Sequence, residues 1–388
     1  MKEYKICIIS FSDLKYDPRV IRQINSLKDK YKIVTLGLKK SETNGIAEFV
    51  LPSKRSSLSK IRSRITFIIA LIFKNLYYEY IELKYPVNSI FKTLPEEKFD
   101  LVIANGLDAL IIADRIAYKY NAMILFDAHE YEPMRIENKL FDRLFIKRYK
   151  EFLCQKYLSL TEYITTVSLG IANVFNKNYS INPEVILNVP KYRKINLKKV
   201  NSNHINLIHH GLAHPSRNLE NLINLMPFLE ERFYLTFMLV KRNINYFNYL
   251  KELSDRICPG RIAFREPVPF YEIVPAISEY DIELIIYESN SFNIIHALPN
   301  KFFESIMAGL ALVIGPSPEM KNIVDKYNCG LVSNSNNTEE IASLINKLSP
   351  EEIMKKKRAS LKAATILNAE KEMDKFLKII KDILFNKI

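Results

Sequence analysis

Short apolar runs rich in β-branched residues alternate with amphipathic stretches along the whole chain, and nothing else in the sequence constrains the fold as much. Lys5–Ser10, Lys32–Leu38, Phe99–Ala104, Ala122–Asp127, Ile164–Ser168 and Glu184–Asn188 read as strands in the first half. Between them, Asp17-Pro18-Arg19-Val20 opens one helix, with Val20, Ile21, Ile24 and Leu27 on one face, and Asp108 to Tyr120 forms another. Strands that are apolar throughout and separated by helices predict a parallel sheet covered on both faces. A polar, Lys-rich segment near Pro190 to His204 interrupts the pattern. It then restarts with Ile205–His210, Tyr234–Val240, Arg261–Phe264, Asp281–Ile286 and Leu310–Gly315. The expected organisation is an α/β chain of two Rossmann-like doubly wound domains, 1–190 and 205–368. A linker at 191–204 joins them, and an amphipathic helix at 369–388 packs back towards the N-terminal domain.

Length and composition exclude several classes. At 388 residues the chain is ample for two cores. Its four cysteines, Cys7, Cys154, Cys258 and Cys329, show neither metal-type spacing nor a disulfide framework, which fits a reducing, cytoplasmic setting. The opening Met1-Lys2-Glu3 leads straight into a strand, so no signal peptide is expected. No apolar run reaches the ~18 residues needed to cross a bilayer. The net charge of +13 raises nucleic acid as a partner. The basic residues are spread over the whole chain without a nucleic-acid motif, so no nucleic-acid partner is expected. No Gly-x-Gly-x-x-Gly, P-loop, Asp-x-Asp pair or zinc pattern stands in the sequence. No resident cofactor or metal is expected.

Three segments carry candidate chemistry. Pro299 and Asn300 combine a residue suited to a first helical turn with a good N-cap, and Lys301 and Glu304 follow within about one turn. Helix-terminal N–H groups and a lysine suit phosphate, and a carboxylate suits ribose hydroxyls. Gly211 to Glu220 follows the first strand of the second domain. Its Gly211 lets backbone approach a ligand, and Arg217 can clamp phosphate oxygens. Asp127-Ala128-His129-Glu130-Tyr131 follows a strand of the first domain, where a carboxylate–imidazole–carboxylate set can orient a sugar and handle protons. Each has a plainer reading: His129 as a helix cap, Glu130 paired with Arg135, Arg217 paired with Glu220, and Lys301 as a solvated helix-start lysine.

These segments, in this order, resemble the retaining glycosyltransferases of the GT-B fold, family 4. Leu298-Pro299-Asn300-Lys301-Phe302-Phe303-Glu304 resembles the family's Pro-Asn-Lys-x-x-Glu stretch, and Asp127-Ala128-His129-Glu130 its Asp-x-His-Glu stretch. Gly211 to Arg217 resembles the loop that binds donor diphosphate. The resemblance implies two domains facing a cleft, the first on the acceptor side and the second binding the donor. It also implies transfer of a sugar, without metal and with retention, from a UDP- or GDP-linked donor to a hydroxyl of a surface glycan or glycolipid. His129 would contact the transferred sugar with Glu130 beside it, Arg217 and Lys301 the diphosphate, and Glu304 the ribose. The fuller family motif has an earlier glutamate; this chain has His296 there, separated from Glu304 by seven residues. Asn218 stands where the family often has a second cation.

Two rivals stand beside this reading: a GT-B nucleotide-sugar epimerase, for which no acid/base set around the sugar can be assigned, and, motivated by His296, a non-catalytic partner that keeps the fold. A further segment, 54–73, joins Lys54, Arg55, Lys60, Arg62 and Arg64 to an apolar run. It reads as a peripheral contact with an anionic membrane at the cytoplasmic face or, alternatively, as a buried helix. A second basic and aromatic helix is expected over Lys139 to Tyr157.

Overall fold

The computed structural model describes residues 3–51, 57–85, 90–91, 94, 98–135, 145–288 and 291–386. Lys54, Arg55 and the 139–144 part of the second basic helix lie outside them. The chain divides into two compact units, Met1–Ile186 with Met373–Ile388, and Leu187–Glu372.

The first unit holds a seven-stranded parallel sheet in the order β3-β2-β1-β4-β5-β6-β7. Its strands are β1 Lys5–Ser10, β2 Lys32–Gly37, β3 Ala47–Val50, β4 Leu101–Asn105, β5 Met123–Ala128, β6 Tyr163–Thr166 and β7 Glu184–Val185. β1 and β4 are buried along their whole length, as central strands covered on both faces must be. On one face Ile6, Ile8, Leu101, Ile103 and Leu125 pack with Val20, Ile24 and Leu27 of the helix Pro18–Leu27. Phe376, Ile379, Ile380 and Ile383 of the helix Ala369–Asn386 complete this core. The helix Leu107–Tyr120 lies against β4 and β5.

The second unit holds a six-stranded parallel sheet in the order β10-β9-β8-β11-β12-β13. Its strands are β8 Ile205–Leu212, β9 Phe233–Val240, β10 Ile262–Arg265, β11 Ile282–Ile285, β12 Ala311–Ile314 and β13 Gly330–Val332. Alternation along the strands feeds two cores. Leu207, Leu235, Phe237, Leu284 and Val313 point to one. Ile208, Met238, Ile285, Leu312 and Ile314 point to the other, where the helix Asn300–Met307 buries Phe302, Phe303, Ile306 and Met307.

Each sheet has a switch point where consecutive connections leave in opposite directions: β1 pairs with both β2 and β4, and β8 with both β9 and β11. In doubly wound sheets ligands bind beyond the carboxyl ends of the strands at such points. Among the described residues, no helix is long and apolar enough to cross a membrane and no acidic, histidine or cysteine cluster could hold a metal ion.

Candidate functional site

In the second unit, polar side chains gather at the carboxyl ends of β8 and β11. Asn300 is the first residue of its helix rather than the N-cap, and Pro299 takes the cap position in extended geometry (φ −70, ψ 150). Proline has no side-chain acceptor to cap with, and the Asn300 side chain is engaged elsewhere: its Oδ1 accepts from Asn188 Nδ2 at 2.6 Å. One residue on, Lys301 turns towards β8 and sets its Nζ 2.9 Å from His209 Nε2.

The tautomer of His209 follows from its other nitrogen. Nδ1 lies 2.8 Å from the Leu284 carbonyl oxygen, which can only accept, so Nδ1 carries the proton and Nε2 receives a hydrogen bond from Lys301. Burial, then the Lys301 charge, pushes the His209 pKa well below its ordinary value, which keeps this ring neutral. Burial is also the largest influence on Lys301; Glu283 opposes it, Arg217 adds to it, and the pKa settles at about 8.

His210 is the opposite case. Its Nδ1 is 3.0 Å from Glu283 Oε2 and its Nε2 is 3.0 Å from Glu304 Oε2. A ring between two carboxylates is doubly protonated. Burial alone would lower its pKa, but Glu283 and then Glu304 outweigh burial and raise it to about 9. Glu283 is fully buried while Glu304 is 16% exposed, so the Glu283–His210–Glu304 chain leads from the core to one accessible carboxylate.

Gly211 comes next on β8. Its φ is +137, and a Cβ there would stand 2.9 Å from Lys301 Nζ and 3.2 Å from Lys301 Cε. Only glycine lets the lysine lie across the strand end. Arg217 belongs to the short 3-10 turn Pro215–Arg217, closed by Asn218 in the left-handed region. Its guanidinium carbon lies 5.3 Å from the centre of the Tyr287 ring, and Lys301 Nζ lies 5.6 Å from the same ring. One aromatic ring thus has two cations within 6 Å of its centre, which suits a ligand carrying adjacent negative charges. Glu220, the plainer partner for Arg217, takes the hydroxyl of Tyr246.

Of the other expected residues, His296 caps the short helix Phe292–Ile295, packs on the Phe292 ring, and sets its Nδ1 3.0 Å from Glu319 Oε1. A carboxylate thus stands beside the position where the family motif has its own. Lys241, just after β9, pairs with Glu266 rather than facing this site.

In the first unit, Asp127, the last residue but one of β5, is fully buried. Its Oδ2 accepts from Arg19 Nε at 2.6 Å and Gln23 Nε2 at 2.7 Å; its Oδ1 accepts from Arg19 Nη2 at 2.6 Å and Thr165 Oγ1 at 2.8 Å. Burial would raise its pKa, but the bidentate Arg19 holds it far below the carboxylate range. His129 Nε2 lies 3.2 Å from Asn105 Oδ1 and 3.4 Å from Asp127 Oδ2, with about a third of the side chain exposed (32%). Glu130 pairs with Arg135 at 3.1 Å in solvent, the plainer of its two readings.

The structure therefore brings Gly211, Arg217, Lys301 and Glu304 together, with Pro299 and Asn300 at the same helix start, and places His129 over a saturated buried carboxylate. Sequence reasoning missed His209, His210, Glu283, Tyr287 and the role of Arg19. The residues between Asp281 and Ile286 read as an apolar strand, and Glu283 within that run was the available signal: a lone carboxylate in a buried strand requires a partner.

No protein-family model matches the chain, and no curated protein matches it. Solved structures do. HepE from Anabaena, in complex with UDP and glucose, is similar with a TM-score of 0.70 at 13% identity, over 98% of this chain and all of HepE. A glycosyltransferase from Rickettsia africae gives 0.67 at 16% identity over the full length of both chains. Sucrose-phosphate synthase from Thermosynechococcus elongatus gives 0.70 at 10%, over 98% and 99%. At such identities the likeness is one of fold, and the fold is GT-B.

Proposed function

We propose that the protein is a glycosyltransferase that moves a sugar from a UDP-sugar to a hydroxyl of a glycan or glycolipid acceptor, with retention and without metal. The observation that carries this reading is the gathering of Arg217 and Lys301 at the Tyr287 ring, beside Gly211 and the partly exposed carboxylate of Glu304. In the reaction, the bond between the anomeric carbon and the diphosphate oxygen breaks, the acceptor oxygen bonds to that carbon, and the acceptor's hydroxyl proton passes to the departing diphosphate. Negative charge grows on the departing diphosphate, where Arg217 and Lys301 supply fixed positive charge. A lysine that titrates near pH 8 when free is restored to full charge by a bound phosphate. Glu304 accepts from ribose hydroxyls. His129, braced by Asn105 and Asp127, orients the transferred sugar. UDP in HepE, a protein of the same fold, supports the choice of nucleotide.

The test is thermal unfolding of the purified protein with UDP, GDP, CMP and their sugar conjugates. UDP at about a hundred times its Kd stabilises the folded state by about 2.7 kcal/mol and raises the Tm. Arg217→Ala and Glu304→Ala abolish that rise. No rise with any nucleotide overturns the reading. A rise with UDP-sugar but no transfer to any acceptor moves the protein to the non-catalytic rival.

A further inference from the structure

The helix Ser57–Ala70 buries one mixed face and leaves an apolar face uncovered. Ser63, Thr66, Phe67 and Ala70 are buried, with the Phe67 ring 4.8 Å from Tyr80 and 5.8 Å from Tyr149. On the other side Leu58 (80% exposed), Ile61, Ile65, Ile68 (57%) and Ile69 stand in solvent, and Ile72 (77%) extends the row past the helix end. At 3.6 residues per turn the five helical positions span an arc of about 100°. Arg62 falls on one edge of that arc, where it pairs with Glu79 of the next helix at 2.9 Å in solvent, and Arg64 falls on the other with Lys60 beyond it; all three are exposed. The stretch 57–73 contains no carboxylate.

We propose that this stripe inserts into the headgroup boundary of an anionic lipid bilayer, docking the first unit on the membrane surface. An apolar arc with cations on both rims matches a layer that is apolar below and negatively charged above. The fit is poorer for a second copy of the chain. A two-fold pair of such helices would bring the Arg64 and Lys60 rims near each other with no carboxylate on either helix to neutralise them, Glu79 being paired with Arg62 on the opposite rim. The helix is too short to span a bilayer, so the contact lies in the plane of the interface.

The chain contains no tryptophan, so one introduced indole reports on its own surroundings. The full-length Ile68→Trp variant is mixed with vesicles of phosphatidylcholine alone, or of phosphatidylcholine with phosphatidylglycerol. Insertion shifts the emission to the blue with the anionic vesicles, and brominated acyl chains quench it. Tyr118→Trp, at a position 91% exposed on another helix, stays unshifted. In co-sedimentation, the double variant Ile65→Ser, Ile72→Ser partitions about tenfold less or weaker still while its Tm is unchanged, since neither side chain is buried. Three outcomes overturn the proposal: absence of sedimentation with anionic vesicles, sedimentation without blue shift or quenching (surface adsorption alone), and a lipid-free shift that grows with protein concentration, which assigns the stripe to a second copy.

Discussion

His210 holds two carboxylates at once, the buried Glu283 and the partly exposed Glu304, one on each ring nitrogen at 3.0 Å. A buried ion pair costs desolvation and adds little net stability, but removing one partner strands the other at about 3–5 kcal/mol. The folded pKa of about 9 lies above the ordinary 6.5, so the folded protein keeps a proton that the unfolded chain releases. That contribution is complete below about pH 6.5 and is lost as the pH rises through 9. Lys301 has the opposite sign: its pKa falls from 10.5 to about 8, so stability is regained between those values. Comparing the wild type with His210→Gln separates the two, since Lys301 is common to both. His210→Gln costs about 3 kcal/mol at pH 6.5, and the cost shrinks as the pH approaches 9. Urea unfolding across pH 6 to 9.5 measures it, and parallel curves for the two proteins would show that His210 is not the charged member. The same substitution frees Glu304 from its anchor, so it weakens UDP binding as well.

At the scale of elements, the close approach of β8 to the helix Asn300–Met307 depends on Gly211. An alanine there meets Lys301 Nζ at 2.9 Å in a backbone conformation that costs an L-residue about 1–3 kcal/mol. Gly211→Ala therefore pushes Lys301 off His209 and weakens UDP binding about tenfold or more. Gly260→Ala, also at positive φ but with nothing within 4 Å, lowers stability and leaves UDP affinity alone. Calorimetric titration of both variants decides; equal UDP affinity would remove the Gly211–Lys301 contact from the site. This contact also shows where sequence reading stops. Gly211, Arg217, Lys301 and Glu304 were legible because turn and helix-start chemistry is local. The central strands were legible for the same reason, since burial on both faces leaves uninterrupted apolar runs. Strand β3 was not, because an edge strand with only partly buried residues carries a weak pattern. β7 stops at Val185, short of the expected Asn188, since the Leu187 N–H donates to Glu372 Oε2 at 2.8 Å instead of to a neighbouring strand. His209, Glu283 and Tyr287 were hidden for a tertiary reason: their partners lie 73 to 94 positions away or on another element.

At the scale of the whole molecule, the last helix contributes to the core built by the first strands. Phe376, Ile379, Ile380 and Ile383 pack with Ile6, Ile8 and Leu101, while among the described residues neither core of the second unit takes one from beyond Leu367. The two ends of the sequence thus share one core, and the middle has its own. Phe376 is 1% exposed, and cutting it to alanine removes a buried ring at a cost of about 3–5 kcal/mol. If the units unfold separately, that cost falls on the first alone. Hydrogen exchange read peptide by peptide should then show Phe376→Ala speeding exchange in β1, β4 and β5 while β8, β9 and β11 keep their protection. Loss of protection in both sheets together would mean that the chain unfolds as one body, and that stability measured at either site belongs to the whole. Preserved protection in the second unit would instead leave UDP binding by Phe376→Ala at its wild-type level, because every proposed phosphate and ribose contact lies between Gly211 and Glu304.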